Sequence, residues 1–217
     1  FLIPPTTWAL VTPVSAPRHA KGIQPLIDEK DLSGFLREVN VSAEMDSQEI
    51  TGLADLDRVF LSGMKDATLS FDGLFAASTT AVDDIANYLD GALGGSTKQV
   101  ITVDLERSTG GRALMMRGDE NAYDVSSPID EVVSVVVDMQ GSSGYAGGKM
   151  LRPLSAAIST GSNSSILTPG TTGAGGTTSG GVAHLHLTAA STLGSLTAKV
   201  QHSTSGSSWA DLVTFTA

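Results

Sequence analysis

Apolar and polar residues alternate along two stretches of the chain, and this alternation is its clearest structural signal. In the central stretch, residues 63–75, the alternating positions are Ala67, Leu69 and Phe71 against Thr68, Ser70 and Asp72. Residues 38–44 upstream alternate in the same way, and residues 131–140 downstream form a longer, more apolar run. Because successive side chains of a strand point to opposite faces, the alternating stretches predict strands with one apolar and one polar face. We expect all three stretches to pair in one half-buried sheet.

Turn signals at regular spacing predict further strands around this central group. The expected strands cover residues 23–28, 37–45, 98–105, 112–117, 120–126 and 131–140. Gly118 and Asp119 are expected to form a turn, residues 141–148 a linker, and the polar residues 46–57 a long loop. Strands separated by turns at this spacing are typical of an antiparallel sandwich or barrel, so the predicted fold is mainly β.

One helix is predicted, over residues 80–93. Thr80 is a suitable N-cap, Asp83 and Asp84 favour the positive end of the helix dipole, and Gly94 follows the last turn. The helix has one apolar stripe, formed by Val82, Ile85, Ala86, Leu89 and Leu93. We expect it to cover one open end or face of the sheet.

Charge divides the chain into an acidic part and a neutral part. The net charge is −10, yet of the 23 acidic residues only Asp211 lies after Leu154, where Lys199 is the only basic residue. This asymmetry indicates separate modules. We divide the chain into an N-terminal arm (residues 1–22), a β domain (23–150) and a C-terminal β-rich extension (151–217).

The extension is expected to form a small β structure of its own. Its predicted strands cover residues 154–159, 182–187, 196–201 and 209–215. Trp209, Val213 and Phe215 are the expected core residues of this part.

Candidate catalytic and metal-binding residues are few. His184 and His186 fall on one face of a predicted strand, a geometry that suits a metal ion, but no third ligand is evident and two surface histidines are the simpler interpretation. His202 with Ser203 and Ser205 lacks the strand–turn–helix context of a nucleophile. The chain contains no cysteine and no phosphate-binding glycine loop. We therefore expect no enzymatic activity, no cofactor and no metal ion.

The acidic balance also limits the class of partner. A protein that wraps nucleic acid needs clustered Lys and Arg, which this chain lacks, whereas a surface past which nucleic acid moves without binding remains compatible. No apolar run approaches the length of a membrane span, so we expect no membrane partner. The first residues are broken by Pro4 and Pro5 and lack basic residues, so they do not resemble a signal peptide.

Three spaced motifs follow one another between residues 18 and 150. They are Asp31-Leu32-Ser33-Gly34-Phe35-Leu36-x-x-Val39, Leu61-x-Gly63-x-Lys65-Asp66-Ala67-Thr68-Leu69-Ser70-x-x-Gly73-x-Phe75, and Tyr123-x-Val125-Ser126-Ser127-Pro128-x-Asp130-x-Val132-Val133. In this order they resemble the tail tube proteins of long-tailed, non-contractile bacteriophages, the siphovirus type. Residues 182–186 and 200–212 resemble the β extension that larger members carry.

The resemblance implies a structural virion protein with a tail-tube-type β barrel or sandwich flanked by one helix. Six copies would form a ring, and stacked rings would form a tube whose acidic channel conducts double-stranded DNA during ejection. The implied partners are further copies of the chain and the tail tip, tape measure and tail terminator proteins, with assembly in the host bacterial cytoplasm. A neck, terminator or tail decoration protein is one alternative, and a glycan-binding module that uses Trp209 as a sugar-stacking platform is another.

Residues for these roles can be assigned from the polar faces and loops. The expected channel lining is the polar half of the two best alternating strands: Glu38, Asn40, Ser42, Glu44, Thr68, Ser70 and Asp72. The pattern alone is equally compatible with these side chains facing outward to solvent. The arm and the polar loop are expected to join successive rings, with contacts through Trp8, Leu10, Glu49 and Asp55.

Overall fold

A seven-stranded antiparallel sheet is the main element of the fold. The structure is a computed structural model and describes residues 20–53, 56–75, 98–154, 182–188, 197–202 and 208–216. After a short 3-10 turn at Ala20–Gly22, the strands are β1 (Gln24–Ile27), β2 (Lys30–Asp31), β3 (Leu36–Glu49), β4 (Phe60–Leu74), β5 (Gln99–Asp104), β6 (Arg112–Ser126) and β7 (Ser134–Lys149). Their order across the sheet is β2–β1–β5–β6–β7–β4–β3. Two further strands, β8 (Thr197–His202) and β9 (Ala210–Thr216), form a separate hairpin.

The apolar side of this sheet forms one core. Leu69 and Phe71 of β4 lie opposite Met139 and Val137 of β7, and all four side chains are buried. Ile101 of β5 belongs to the same cluster, so the core extends across the sheet. Burying each large apolar side chain contributes about 1.5–3 kcal/mol relative to leaving it exposed. Within the described ranges the edge strands β2 and β3 do not pair with each other, so the sheet does not close into a barrel.

The central strand prediction is confirmed. Strand β4 covers the alternating residues 67–72 and pairs with β3 on one side and with β7 on the other. The apolar positions are those that are buried, as the alternation indicated.

Two expected breaks in the chain are strands instead. The turn predicted at Gly118 lies inside β6, and the linker predicted at residues 141–148 lies inside β7. Gly118 pairs with Gly141, and β6 shifts register nearby. A Cβ atom on Gly141 would lie 2.7 Å from the carbonyl oxygen of Ala67, and one on Gly118 would lie 2.8 Å from that of Gln140. These glycines therefore permit close strand contact at an irregular point of the sheet.

The long loop predicted at residues 46–57 is too long at its start, because residues 46–49 belong to strand β3 of a β-hairpin. Strand β3 continues to Glu49 and β4 begins at Phe60, so the connection covers residues 50–59. The backbone N–H of Ile50 donates to the carbonyl oxygen of Val59 at 2.8 Å. This part of the sequence lacks alternation because the paired strands are exposed on both faces.

The last two predicted strands are confirmed as the β8–β9 hairpin, but the expected core of the extension is wrong for two residues. Trp209 is 42% exposed and Val213 is 36% exposed, whereas Phe215 is half-buried. Residues 182–188 form no strand, so the strand predicted at residues 182–187 is wrong, and His184 and His186 contact the sheet through their side chains. The predicted helix at residues 80–93, residues 1–19 of the arm, and residues 155–159 lie outside the described residues.

Candidate functional site

The seven residues proposed as a channel lining lie together on one face of the β3–β4 pair. The directly opposite partners on the two strands are Glu38 with Asp72, Asn40 with Ser70, and Ser42 with Thr68, while Glu44 lies opposite Asp66. Their neighbours in sequence form the other face, where Val39 pairs with Phe71. The burial of that apolar face fixes the polar face on the opposite side of the sheet.

Two of these cross-strand pairs bring like charges together, Glu38 with Asp72 and Glu44 with Asp66. Opposite Cβ atoms in a sheet lie about 4.5–5.5 Å apart, and like charges at this spacing are destabilising. In the described part of the chain, no ion pair includes any of these four carboxylates. Asp66 instead accepts hydrogen bonds from the Gln140 amide at 2.5 Å and from a backbone N–H at 2.7 Å. Among the described residues, the face is therefore acidic without a neutralising cation.

The acidic face continues onto β7 and β6. Asp138 lies opposite Ser70, and Asp124 lies opposite Val136, which in turn pairs with Asp72. The four segments concerned, residues 38–44, 66–74, 119–126 and 134–140, contain no Lys or Arg. We call the carboxylates on this face the acidic strip: Glu38, Glu44, Asp66, Asp72, Asp124 and Asp138.

Asp124 and Asp138 were not among the residues singled out from the sequence. Periodicity shows on which side of its own strand a residue lies, but not which strands are neighbours. Both residues could be placed on the acidic strip only once β7 was found between β4 and β6. The absence of basic residues from all four segments was the available signal.

Strand β3 leaves its outer edge unpaired in the described part of the molecule. It has 14 residues, whereas β2 at the opposite edge has two. The register of β3 is regular between irregularities at Leu36/Glu38 and at Met45/Ser47. A long free edge exposes a row of backbone donors and acceptors that a second chain can pair with.

Beyond the core, β3 and β4 continue as an exposed two-stranded projection, residues 44–53 and 56–66, which we call the hairpin arm. Its paired part runs from Glu44/Asp66 to Glu49/Phe60, a length of about 17 Å at the usual rise of a strand. Near its end, the Thr51 hydroxyl donates to Glu49 at 2.7 Å and accepts from the Val59 N–H at 3.0 Å. The Arg58 guanidinium lies 4.0 Å from the Glu49 carboxylate.

The hairpin arm carries an unusual number of exposed apolar side chains. They are Met45, Ile50, Leu53, Leu56, Val59, Phe60, Leu61 and Met64. Of the four proposed ring contacts, Glu49 lies on this arm, whereas Trp8, Leu10 and Asp55 lie outside the described residues. Exposed apolar patches of this kind mark sites of protein–protein contact.

The two histidines considered as metal ligands are half-buried and contact the main sheet. The Thr102 hydroxyl oxygen of β5 lies 3.0 Å from His184 Nδ1 and 2.7 Å from His186 Nε2. His186 Nδ1 lies 2.7 Å from the carbonyl oxygen of Asp28, in the turn between β1 and β2. Among the described residues, no group of three or more potential ligands could hold a metal ion. The contacts instead attach residues 182–188, which we call the histidine segment, to the main sheet.

Burial lowers the pKa of both imidazoles. For His184, the charges of His186 and Arg117 lower the pKa further, and the Ile101 backbone partly opposes them. For His186, the Asp28 backbone and carboxylate oppose the effect of burial without reversing it. Both rings are therefore held towards the neutral form.

Membrane insertion by a helix has no support in the described ranges, where no helix is long and apolar enough to cross a bilayer.

Comparisons with known proteins identify the fold. No protein-family model and no curated protein matches the chain. Among solved structures, it matches a chain from the virion of a native gene transfer agent particle with a TM-score of 0.52 and 14% identity, over 61% of this chain and 99% of the other. It also matches the SPP1 tail tube, solved by solid-state NMR and cryo-EM, with a TM-score of 0.53 and 10% identity, over 72% of this chain and 95% of the other. The chain thus shares the fold of a solved tail tube, as its sequence motifs indicated.

Proposed function

We propose that this chain is a structural subunit of a siphovirus-type phage tail tube, in which six copies form a ring and stacked rings enclose a channel for DNA. The observation that carries the proposal is the free edge of β3 beside the acidic strip, in a chain with the fold of a tail tube. Its partners are further copies and the tail tip, tape measure and terminator proteins. It acts in the virion, after assembly in the host cytoplasm, as a structural protein and not as an enzyme.

Lateral contacts between subunits use the edge of β3. The regular stretch from Glu38 to Met45 is long enough to pair with a neighbouring copy along its backbone. If this edge meets a different surface of the neighbouring copy, the contact is head-to-tail and closes into a ring when the rotation between copies fits. Pairing would also place the acidic strips of successive copies side by side.

The acidic strip faces the channel in this arrangement. With a net charge of −10 per chain, six copies carry about sixty negative charges per ring. Double-stranded DNA binds proteins by exchanging counterions for Lys and Arg, which the strip lacks. The wall therefore repels the phosphates and lets DNA slide.

Contacts between successive rings use the hairpin arm. Leu53 and Leu56 near its end are fully exposed in the single chain, and Met64 is 81% exposed. Burying each of these side chains against a neighbouring ring would contribute about 1.5–3 kcal/mol. The arm therefore supplies attraction along the tube axis.

Electron microscopy tests the tube proposal directly. The purified chain is examined in negative stain at low and high protein concentration, with size-exclusion chromatography alongside, and we expect rings or hollow tubes with sixfold end views. A chain that stays monomeric even with a tail-tip seed would contradict the proposal and favour a decoration or terminator protein.

Matched variants separate the two contacts. Ala43→Lys introduces a charge at an exposed position of β3 and should prevent ring formation, whereas Thr109→Lys adds the same charge in the exposed β5–β6 turn and should not. Leu53→Ser with Leu56→Ser should leave rings that do not stack. The control for that pair is serine at two exposed leucines outside the arm, Leu151 and Leu154.

The exposure of Trp209 favours a second candidate function, glycan binding by the extension. An aromatic ring that is 42% exposed can stack on a sugar, which a core residue could not do. The test measures binding of the full chain to cell-wall glycans. Trp209→Ala should reduce this binding, whereas the control Leu212→Ala, at another exposed position of the hairpin, should not. Equal binding by both variants, or none by the parent chain, would contradict this candidate.

A further inference from the structure

The histidine segment joins distant parts of the chain through very few polar atoms. Thr102 and His184 are 82 residues apart, and a single hydroxyl group contacts both imidazoles. We propose that residues 182–188 are a proton-controlled latch, docked on β5 while both rings are neutral and released when they are protonated. The inference concerns a part of the surface that the proposed tube contacts do not use.

The hydrogen-bond geometry determines where the protons lie at His186. A carbonyl oxygen can only accept, so His186 Nδ1 carries the hydrogen that is donated to Asp28 at 2.7 Å. In the neutral ring, Nε2 is then an acceptor. The Thr102 hydroxyl, 2.7 Å away, must donate to it.

The same reasoning fixes the tautomer of His184. A hydroxyl has one hydrogen, and Thr102 has already donated it to His186. The Thr102 oxygen therefore accepts from His184 Nδ1–H at 3.0 Å. All contacts are satisfied by one directed chain, from His184 through Thr102 and His186 to the carbonyl of Asp28.

A proton added to either ring disrupts this chain. On His186, a hydrogen on Nε2 would face the Thr102 hydroxyl hydrogen and force the hydroxyl to turn away. On His184, the added hydrogen would sit on Nε2, a buried atom that has no hydrogen-bond partner among the described residues. The Ile101 backbone favours the charged ring but does not reverse the effect of burial on its pKa. Burying an unsatisfied donor is costly, and more so when it is charged. With both rings protonated, two cations would face each other with their ring centres 6.2 Å apart.

The charged groups around the latch have opposite effects on the two histidines, but the pKa of both rings remains lowered. Arg117 of β6 opposes a positive charge on His184, whereas Asp28 favours one on His186. The Asp28 carboxylate also accepts a hydrogen bond from the Val100 N–H at 2.7 Å. Burial is the largest effect at both rings, and the pKa of each lies below its ordinary value of 6.5.

The pH dependence follows from this sign. Docking is most stable well above pH 6.5, where both docked and released rings are neutral. As the pH falls below that value, the released form binds protons first, so the docking equilibrium weakens until the docked rings are protonated too. Each histidine can change the equilibrium by up to about tenfold per pH unit, and the two together by up to about a hundredfold.

Distance measurements between two spin labels test the latch in the full chain. The chain has no cysteine, so Asn121→Cys and Leu185→Cys provide unique labelling sites at exposed positions. Asn121 lies six residues beyond Met115, the partner of Thr102, which corresponds to about 20 Å along the strand. We expect a narrow distance distribution at pH 8 and a broad, longer one at pH 5, with an unchanged far-UV circular dichroism spectrum.

Variants identify the groups responsible. An asparagine can place its N–H near the position of imidazole Nδ1, so H184N with H186N retains the hydrogen bonds donated to Thr102 and Asp28 but loses the acceptor of the Thr102 hydroxyl. Because the variant does not titrate, its docked fraction should be the same at both pH values. His202→Asn changes an exposed histidine on β8 and should leave the transition as in the parent chain. Thr102→Val removes the shared hydroxyl and should reduce the docked fraction already at pH 8.

Several results would overturn the proposal. They are an identical distance distribution at pH 5 and pH 8 in the parent chain, a broad distribution at pH 8 in the parent chain, or a pH-dependent transition that persists in the doubly substituted chain. Imidazole nitrogen spectra add an independent measurement, because both rings should carry their hydrogen on Nδ1 at pH 8. An Nε2–H tautomer at either histidine would contradict the directed hydrogen-bond chain.

Discussion

Removing one carboxylate from each like-charged pair of the acidic strip should stabilise the isolated subunit. The change is Glu38→Gln together with Glu44→Gln, which leaves Asp72 and Asp66 without a like charge directly opposite. Glutamine retains the size and polarity of glutamate, so the variant removes charge and little else. If Glu38 and Glu44 instead stabilised the subunit, the same substitutions would lower its free energy of unfolding.

The expected gain can be worked from the register. Opposite Cβ atoms lie about 5 Å apart, which places the charges about 6 Å apart. Two charges at this distance repel by about 0.7 kcal/mol in water, or about 0.5 kcal/mol after screening in dilute buffer. The two pairs are about 20 Å apart along the strand, so their effects should add to about 1 kcal/mol. For a chain of 217 residues this corresponds to a rise of about 2–4 °C in Tm.

Thermal and urea unfolding of the monomer at 20 mM and at 1 M NaCl would measure this gain. At 1 M NaCl the screening length is about 3 Å, so the gain should almost vanish. Glu49→Gln is the matched control, because this glutamate on the same strand faces Arg58 at 4.0 Å and its removal should be neutral or slightly destabilising. If the double variant were less stable than the parent, or if its gain in stability persisted in 1 M NaCl, repulsion between the opposite carboxylates would be refuted as the cause.

Three further predictions address the sheet and the channel. Gly141→Ala should destabilise the subunit by about 1–3 kcal/mol, because its Cβ would lie 2.7 Å from the Ala67 carbonyl oxygen, whereas Gly147→Ala meets nothing within 4 Å; equal urea midpoints would contradict the close contact. Phe71→Ala should cost about 3–5 kcal/mol in urea unfolding, and a loss below about 1 kcal/mol would show that the ring is not in the core. Asp72→Lys tubes should retain DNA in low salt and release it as salt is raised, and passage unchanged from the parent tube would contradict the channel assignment.

Sequence periodicity predicted the central strands because one face of each is buried. In β4, burial of Leu69 and Phe71 requires the intervening polar residues to face the other way. The same alternation in β3 placed the two polar faces together, since a register that packs the half-buried Val39 and Val41 against the core also aligns Asn40 with Ser70. Where one face is buried, local pattern and pairing carry the same information.

The incorrect predictions concern residues whose role depends on a distant partner. Gly118 and Gly141 have the composition of turns, and only the approach of a neighbouring strand explains them as contact positions. The contact between His184 and Thr102 joins residues 82 apart, which no local spacing could indicate. Residues 46–49 of the hairpin arm were predicted as loop because a paired strand that is exposed on both faces has no alternation of apolar and polar residues.

The acidic strip determines how the proposed tube can be held together. Repulsion between Glu38 and Asp72 already opposes folding of one subunit, and a ring would bring six such strips together, so the strip opposes assembly as well. Attraction must then come from backbone pairing at β3 and from burial of the apolar side chains of the hairpin arm. Salt screens the repulsion, and sulfate salts strengthen apolar burial, so raising the ionic strength should shift monomers towards rings and tubes in light scattering or sedimentation. A tube held by ion pairs between subunits would dissociate under the same conditions, and this opposite response would refute the assignment of both surfaces.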